Sequence, residues 1–185
     1  MTARDAVARP VPTRDEGYNE AVDRFGPALE RLARAYEADP DIRRDLVQEI
    51  HFAIWRSFAT YDRRCALRTW VYRVAHNTAT SHVTRAFRRR RQAFVTLDDL
   101  PGDPPAPDEP TDEAVGRQRT LERLLALIQR LDPVDRQVIV SYLEGMEAAD
   151  IADVVGTSRA AVGMKVHRIK RLLARQFNEG ATHDR

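Results

Sequence analysis

The sequence of 185 residues lacks several features that define other classes of protein. Cys65 is the single cysteine, so an internal disulfide is excluded. No apolar run approaches the roughly 20 residues that a helix needs to cross a bilayer. The N-terminus also lacks the apolar core of a signal peptide. We therefore expect a protein of the cytoplasm that is not inserted into a membrane.

Sequence signatures of catalysis are missing as well. The chain has no HExxH spacing, no pair of cysteines, no GxxxxGKS or GxxxxGKT loop and no GxGxxG motif after a strand. The histidines show no metal-binding spacing; they are His51, His76, His82, His167 and His183. An alternating strand pattern of useful length and an internal repeat are also absent. These absences argue against an enzyme and against a bound metal, cofactor or small-molecule substrate.

Charge is distributed unevenly along the chain, although the formal net charge is only +2. A basic cluster ends at Arg91, and no positive residue follows until Arg117. The segment between them is acidic and rich in proline, a composition that disfavours both a helix and a packed core. Its acidic residues are Asp98, Asp99, Asp103, Asp108, Glu109, Asp112 and Glu113, and its prolines are Pro101, Pro104, Pro105, Pro107 and Pro110. We predict a linker at 93–116.

Helical patterns occupy the sequence on both sides of this linker. Before it we predict helices from about Tyr18 to Glu37, from Pro40 to Phe58 behind the capping Asp39, and from Leu67 onward through the basic cluster. The last of these has poorer helix propensity near 76–78, where we expect a break. After the linker, Leu121 to Leu131 forms one apolar stripe, and Asp132-Pro133 begins a helix that ends near Gly145. The fold class is therefore all-α, with two small helical domains.

The segment EAADIADVVGTSRAAVGMKVHRIKR, residues 147–171, has the pattern of a helix-turn-helix. Ala152 allows close helix packing, Gly156 ends the first helix and Ser158 caps the second. Apolar residues on both helices recur at core spacing: Ile151, Val154 and Val155, then Val162, Val166, Ile169 and Leu173. The outward residues of the second helix are Arg159, Ala160, Gly163, Met164, His167 and Arg168. No acidic residue occurs from Val154 to Asn178, which favours contact with phosphates. An ordinary helical hairpin with a solvated basic face is the alternative.

Three segments together resemble the extracytoplasmic-function group of bacterial sigma factors in the sigma-70 family. They are Asp45 to Glu49 leading into Trp55, then LRTWVYRVAHNTA at 67–79, and the helix-turn-helix pattern at 147–171. The resemblance extends from Tyr18 to Phe177. It implies five parts: a flexible tail at 1–15, a region 2 domain at 16–92, the linker at 93–116, a region 4 domain at 117–178 and a tail at 179–185.

By this resemblance, region 2 docks on the clamp coiled coil of core RNA polymerase. The docking residues would be Asp45, Gln48, Glu49 and Phe52, which share one helical stripe. A plain solvated helix face is the alternative interpretation of this stripe.

The resemblance also implies that region 2 recognises and opens the minus-ten promoter element. A loop at His76, Asn77 and Thr78 would hold a flipped base, with Asn77 as its hydrogen-bonding residue. Arg68, Arg73, Arg85, Arg88 and Arg89 would bind phosphates. We expect Trp70 to lie in the core rather than to stack on a base.

Region 4 would bind the minus-thirty-five element through the second helix of the helix-turn-helix. The residues implied are Ser158, Arg159, Gly163, Met164, Lys165, His167 and Arg168. Gly163-Met164 departs from the basic residue and serine that are common in the family, so the target sequence cannot be transferred. Gly163 would allow close approach of helix and DNA.

The expected partners are core RNA polymerase, through its clamp coiled coil and flap regions, promoter DNA and an anti-sigma factor. About 24 linker residues can stretch to roughly 80 Å, enough to reach two DNA sites. The resemblance implies that the linker runs through the polymerase interior, and a plain solvated spacer is the alternative. A conventional helix-turn-helix regulator and a protein-binding adaptor are the rival functions.

Overall fold

The computed structural model describes residues 13–90 and 113–182, which form seven α-helices and no strand. The helices are α1 (Arg14–Tyr36), α2 (Pro40–Ser57), α3 (Leu67–Arg90), α4 (Glu113–Arg130), α5 (Pro133–Leu143), α6 (Ala148–Val155) and α7 (Arg159–Thr182). The predicted all-α class is confirmed for these residues. Most of the predicted linker lies outside them, and the termini 1–12 and 183–185 do as well.

Local capping signals explain where the first two helices begin. Thr13 and Glu16 form a capping box, in which the Thr13 N–H donates to the Glu16 carboxylate over 2.9 Å. Helix α1 therefore starts at Arg14, inside the tail predicted at 1–15. Asp39 accepts hydrogen bonds from the N–H groups of Asp41 and Ile42, which confirms the predicted start of α2 at Pro40.

Helices α1, α2 and α3 pack on one another and form the N-terminal unit. Their shared core includes Leu32, Leu46, Ile50, Val71 and Ala75, each at most 1% exposed. Burial of these aliphatic side chains removes apolar surface from water and is the main favourable term that holds the three helices together.

Helices α4 to α7 form the C-terminal unit. Helix α4 begins at Glu113, so its first residues lie inside the predicted linker. Asp132 caps α5 as predicted, accepting from the N–H groups of Val134 and Asp135. Buried Arg136 donates to the carbonyl oxygens of Gln129 and Leu131 at the end of α4. Burial lowers the pKa of this guanidinium.

The two units pack against each other rather than standing apart. Helix α3 contacts α5 and α6, while α1 contacts α4 and α5, so a single apolar core runs through both units. Gln129 adds a polar contact by donating to the carbonyl oxygen of Arg34 over 2.9 Å. No helix of the described residues is long and apolar enough for a bilayer span.

Candidate nucleic-acid and partner interfaces

The turn between α6 and α7 has the geometry that its sequence predicts. Gly156 adopts the left-handed conformation, with φ 78° and ψ 41°, and ends α6. The N–H groups of Gly156 and Thr157 both donate to the carbonyl oxygen of Ala152, at 2.9 and 3.0 Å. The Ser158 hydroxyl oxygen then accepts from the Ala161 N–H over 3.1 Å and caps α7.

Helix α7 separates an apolar side from an exposed polar side. Val162 and Ile169 are buried against α5 and α6, and Val166 and Leu173 are half-buried, which confirms the predicted core positions. The residues on the opposite side are exposed: Arg159, Ala160, Gly163, Met164, His167 and Arg168. Met164 is 69% exposed, which is unusual for a large apolar side chain and fits a contact surface.

Two cations of α7 are bound to a carboxylate on α5. Lys165 Nζ lies 2.5 Å from Asp135 Oδ1, and Arg168 Nη2 lies 3.2 Å from Asp135 Oδ2. The Asp135 side chain is fully buried, whereas the Lys165 side chain is 31% and the Arg168 side chain 56% exposed. The sequence did not reveal this cluster, because an acid in the first turn of a helix is usually explained by the helix dipole.

Helix α3 is continuous from Leu67 to Arg90, so the predicted break at 76–78 is wrong. The expected loop at these residues does not exist. Packing against both units buries Ala75, His76 and Ala79, and this burial outweighs poor local propensity. The Thr78 hydroxyl donates to the Val74 carbonyl oxygen over 2.9 Å, so its polar group is satisfied within the helix.

His76 lies in the core and not on a DNA-facing surface. Its Nδ1 is 2.9 Å from the hydroxyl oxygen of Tyr36, and its Nε2 is 2.9 Å from the hydroxyl oxygen of Ser141. Burial lowers the pKa of His76 to about 3, so the ring is neutral and one nitrogen donates while the other accepts. By contrast, Asn77 is exposed on α3.

Two arginines predicted to bind phosphates donate instead to carbonyl oxygens of the C-terminal unit. Arg68 donates to the carbonyl oxygens of Glu144 and Gly145, which follow α5. Arg73 donates through Nε and Nη2 to the carbonyl oxygen of Asp153, at 3.2 and 2.8 Å. Carbonyl groups near helix C-termini carry partial negative charge, which suits them to a guanidinium.

The remaining predicted phosphate contacts lie further along α3. Arg85 Nη2 is 2.6 Å from Glu49 Oε2 and forms an ion pair with α2. Arg88 and Arg89 belong to the last turn of α3, and their side chains are outside the described set. Trp70 is half-buried and donates from its indole N–H to the Ser57 hydroxyl oxygen over 2.9 Å, consistent with a core role.

The predicted stripe on α2 faces solvent at most of its positions. Asp45 and Gln48 are exposed, and Phe52 is 61% exposed. Glu49 is half-buried because it pairs with Arg85. The Phe52 ring stacks on Trp55, with centroids 6.1 Å apart, so an exposed aromatic surface adjoins the polar residues. Acid, amide and aromatic groups are thus presented together.

Metal coordination has no support in the side chains that the structure describes. In residues 13–86 and 116–176, whose side chains the structure describes, no group of three His, Cys, Asp or Glu residues is arranged to hold a metal ion. A capped, basic helix after a glycine turn places the C-terminal unit in the helix-turn-helix class of DNA-binding modules.

Two family models match the chain. "Sigma-70 region 2" matches residues 21–91, and "Sigma-70, region 4" matches residues 121–173. The sigma-H factor of Pseudomonas aeruginosa is 31% identical over 134 residues, which cover 67% of this chain and 69% of that relative. The chain belongs to the sigma-70 family of RNA polymerase sigma factors, in its extracytoplasmic-function group.

A second relative and one solved structure are also similar to this chain. The extracytoplasmic-function sigma factor SigG of Mycobacterium tuberculosis is 26% identical over 163 residues, which cover 76% of this chain and 44% of SigG. The chain thus spans less than half the length of SigG. RpoE of Bartonella quintana, solved in complex with the anti-sigma factor NepR, has a TM-score of 0.62 at 19% identity. That match covers 91% of this chain and 98% of RpoE, and it shows a shared fold.

Proposed function

We propose that this chain is a dissociable initiation subunit, which binds core RNA polymerase, directs it to specific promoters and promotes DNA melting. The observation that carries the proposal is the presence of both sigma segments on one chain, each with an exposed helix face. In this role the chain binds and positions DNA and catalyses no reaction of its own.

The exposed face of α7 is the proposed contact with the minus-thirty-five element. No acidic residue occurs from Val154 to Asn178, so the part of α7 that would face DNA carries no carboxylate of its own to repel phosphates. Gly163 has open space where a Cβ would stand, so the helix can approach a groove closely there. The proposed DNA-contacting set is Ser158, Arg159, Gly163, Met164, Lys165, His167 and Arg168.

Helix α3 is the proposed contact with the minus-ten element, with Asn77 as its base-recognising residue. Asn77 is exposed and carries both a donor and an acceptor, as recognition of a flipped base requires. His76 is buried and Thr78 is half-buried, so Asn77 is the exposed member of the three residues predicted to hold the base. Arg85, Arg88 and Arg89 then supply phosphate contacts. Arg68 and Arg73 would join them only after leaving the carbonyl oxygens they now contact.

The α2 stripe of Asp45, Gln48, Glu49 and Phe52 is the proposed contact with the clamp coiled coil of the polymerase. An amphipathic helical partner fits this surface, because an exposed ring lies beside exposed polar groups. Glu49 is held in place by Arg85 and so enters the interface already oriented.

We further propose that an anti-sigma factor regulates the chain and that the polymerase flap contacts its C-terminal unit. The solved likeness of RpoE with NepR supports the first of these partners. The chain would act in the cytoplasm and join the nucleoid as part of the polymerase holoenzyme.

A single comparison tests this function against its rivals. Purified chain is mixed with promoter DNA with and without core polymerase, and the transcripts made are sequenced. An initiation subunit gives transcripts with defined start positions only when the polymerase is present. A conventional regulator binds the DNA alone, and an adaptor binds DNA in neither case. Either of these last results contradicts the proposal.

A further inference from the structure

The buried carboxylate of Asp135 is bound by two cations of α7, Lys165 and Arg168, which differ in their exposure to solvent. Each of its oxygens is bound by a different side chain, Oδ1 by Lys165 at 2.5 Å and Oδ2 by Arg168 at 3.2 Å. Lys165 and Arg168 lie nearly one turn apart on the helix, so they present adjacent positions to the same acceptor. The three side chains form one cluster at the contact between α5 and α7.

Lys165 is committed to this cluster. Asp135 is fully buried, so water cannot replace a cation that leaves it. Breaking a buried ion pair by removing one partner is costly because an uncompensated charge remains. When DNA approaches, the Lys165 ammonium therefore remains with Asp135 and does not move to a base or phosphate.

Arg168 is in a different position. Its side chain is 56% exposed, and the contact with Asp135 involves Nη2. A guanidinium has several N–H donors in a rigid plane, so one anchored end leaves the other oriented. An oriented, exposed guanidinium suits a backbone phosphate, which accepts charge-assisted hydrogen bonds.

We infer that Asp135 is a positioning residue for promoter binding, which keeps Lys165 away from DNA and holds Arg168 toward a backbone phosphate. Base discrimination then depends on the exposed side chains of Arg159, Met164 and His167. This inference rests on the proposed function of α7 and narrows its contact set, because Lys165 leaves that set and Arg168 becomes a phosphate contact.

The test measures how the affinity of the assembled polymerase for a promoter duplex depends on salt. The full chain carries Arg168→Ala, Lys165→Met or Asp135→Asn, and the promoter is one found by transcript sequencing. Arg168→Ala should flatten the slope of log affinity against log salt by about 0.9, the loss of one phosphate contact. Lys165→Met tests the other half of the inference: it should leave the slope unchanged, because the Lys165 ammonium is bound to Asp135 and makes no phosphate contact.

A double-mutant cycle separates positioning from plain stability. Asp135→Asn should weaken binding about threefold in the wild-type background and have no further effect on affinity in the Arg168→Ala background. Thermal unfolding, measured in parallel, reports the structural cost of losing the carboxylate in both backgrounds. The inference would be overturned if the double variant lost as much affinity as the losses of Asp135→Asn and Arg168→Ala added together. If Asp135→Asn does not fold, the slopes of Lys165→Met and Arg168→Ala decide the outcome alone.

Selection from a pool of minus-thirty-five sequences tests the division between base and phosphate contacts. Lys165→Met and Arg168→Ala should select the wild-type sequence, whereas His167→Ala or Met164→Ala should select another. A changed selection by Lys165→Met would contradict the inference. Failure of the proposed function appears separately, as a wild-type chain that gives no promoter-specific initiation. In that event the salt dependence of affinity is measured for the full chain on random duplex DNA, where Arg168→Ala should again flatten the slope and Lys165→Met should not.

Discussion

Arg31 on α1 and Glu144, the residue after α5, form a bidentate ion pair that joins the two helical units. Arg31 Nε lies 2.7 Å from Glu144 Oε1, and Arg31 Nη2 lies 2.6 Å from Glu144 Oε2. The Arg31 side chain is 59% exposed, so the pair lies at the rim of the contact between units. Tyr72 approaches the same carboxylate, with its hydroxyl 3.4 Å from Oε2.

Arg31→Glu should weaken the packing between the two units, because it places a second carboxylate opposite that of Glu144 and the two repel each other. We expect a loss of about 0.5–1 kcal/mol in unfolding free energy and a larger radius of gyration in X-ray scattering. Arg24→Glu is the control, since Arg24 pairs with Glu20 on its own helix and should leave the radius unchanged. Combining Arg31→Glu with Glu144→Arg should recover part of the compactness. Equal effects of the two single variants would refute the role of this pair.

Gly17→Ala should destabilise the protein although alanine favours helices. An added Cβ would lie 2.5 Å from Cδ1 and 2.7 Å from Cε1 of the buried Phe58 ring. Such overpacking typically costs about 1–3 kcal/mol. Gly26→Ala on the same helix is the matched control: its nearest contact is Val22 Cγ1 at 3.9 Å, so a gain of about 0.5–1 kcal/mol is expected. Urea denaturation of both variants measures the difference, and equal stabilities would contradict the clash.

Stability should fall as the pH drops below the ordinary pKa of histidine, because His76 cannot be protonated in the folded core. The pKa of His76 in the folded protein, about 3, lies below the ordinary histidine value of 6.5 because the ring is buried. Between these values the unfolded chain binds a proton that the folded chain does not, so unfolding free energy decreases by about 1.4 kcal/mol per pH unit. The contribution is fully present above pH about 6.5.

His76→Gln tests this dependence, since glutamine keeps a donor and an acceptor but does not titrate. Urea denaturation between about pH 5 and 7 avoids most titration of carboxyl groups. We expect the unfolding free energy of the wild type to change more steeply with pH than that of His76→Gln, by about 1.4 kcal/mol per pH unit near pH 5. Identical pH dependences of the two proteins would show that His76 takes up a proton in the folded state as readily as in the unfolded state.

Replacing Asp45 and Gln48 together by alanine should lower the affinity for core polymerase at least about fivefold without changing thermal stability. Both side chains are exposed on the α2 stripe, so their loss removes partner contacts and leaves the core intact. Asn19→Ala with Asp23→Ala removes an exposed amide and an exposed acid from α1 and serves as the matched control. Unchanged polymerase binding by the stripe variant would exclude this surface.

Asn77→Ala should slow formation of the open promoter complex about tenfold while leaving polymerase binding unchanged. The amide is the exposed hydrogen-bonding group at the middle of α3, and alanine cannot satisfy the edge of a flipped base. Permanganate footprinting measures melting, and Asn19→Ala controls for the loss of an amide elsewhere. Unaltered melting on every tested minus-ten sequence would remove Asn77 from this role.

Local signals made much of the fold predictable. Asp39 and Asp132 cap their helices, and Gly156 takes the left-handed conformation, because each of these features depends on a few adjacent residues. The start of α1 at Arg14 was missed because the capping box of Thr13 and Glu16 lies before the apolar periodicity begins.

Long-range contacts were not predictable in the same way. The sequence around His76 indicates poor helix propensity, and only the presence of Tyr36 and Ser141 on either side explains a buried, continuous helix. Similarly, the exposed stripe on α2 follows from helical spacing, whereas the pairing of Asp135 with α7 requires knowing which helices meet. Contacts between distant segments depend on topology, which spacing within one segment does not encode.

The carbonyl acceptors of Arg68 and Arg73 have a consequence for how sequence variation affects this protein. A main-chain oxygen remains at its place whatever side chain the residue carries, so replacing Glu144 or Asp153 does not delete the acceptor. Variation at these positions can therefore alter the charge at the rim while both arginines retain their acceptors. A change in the path of the chain where α5 and α6 end, by contrast, would displace both acceptors.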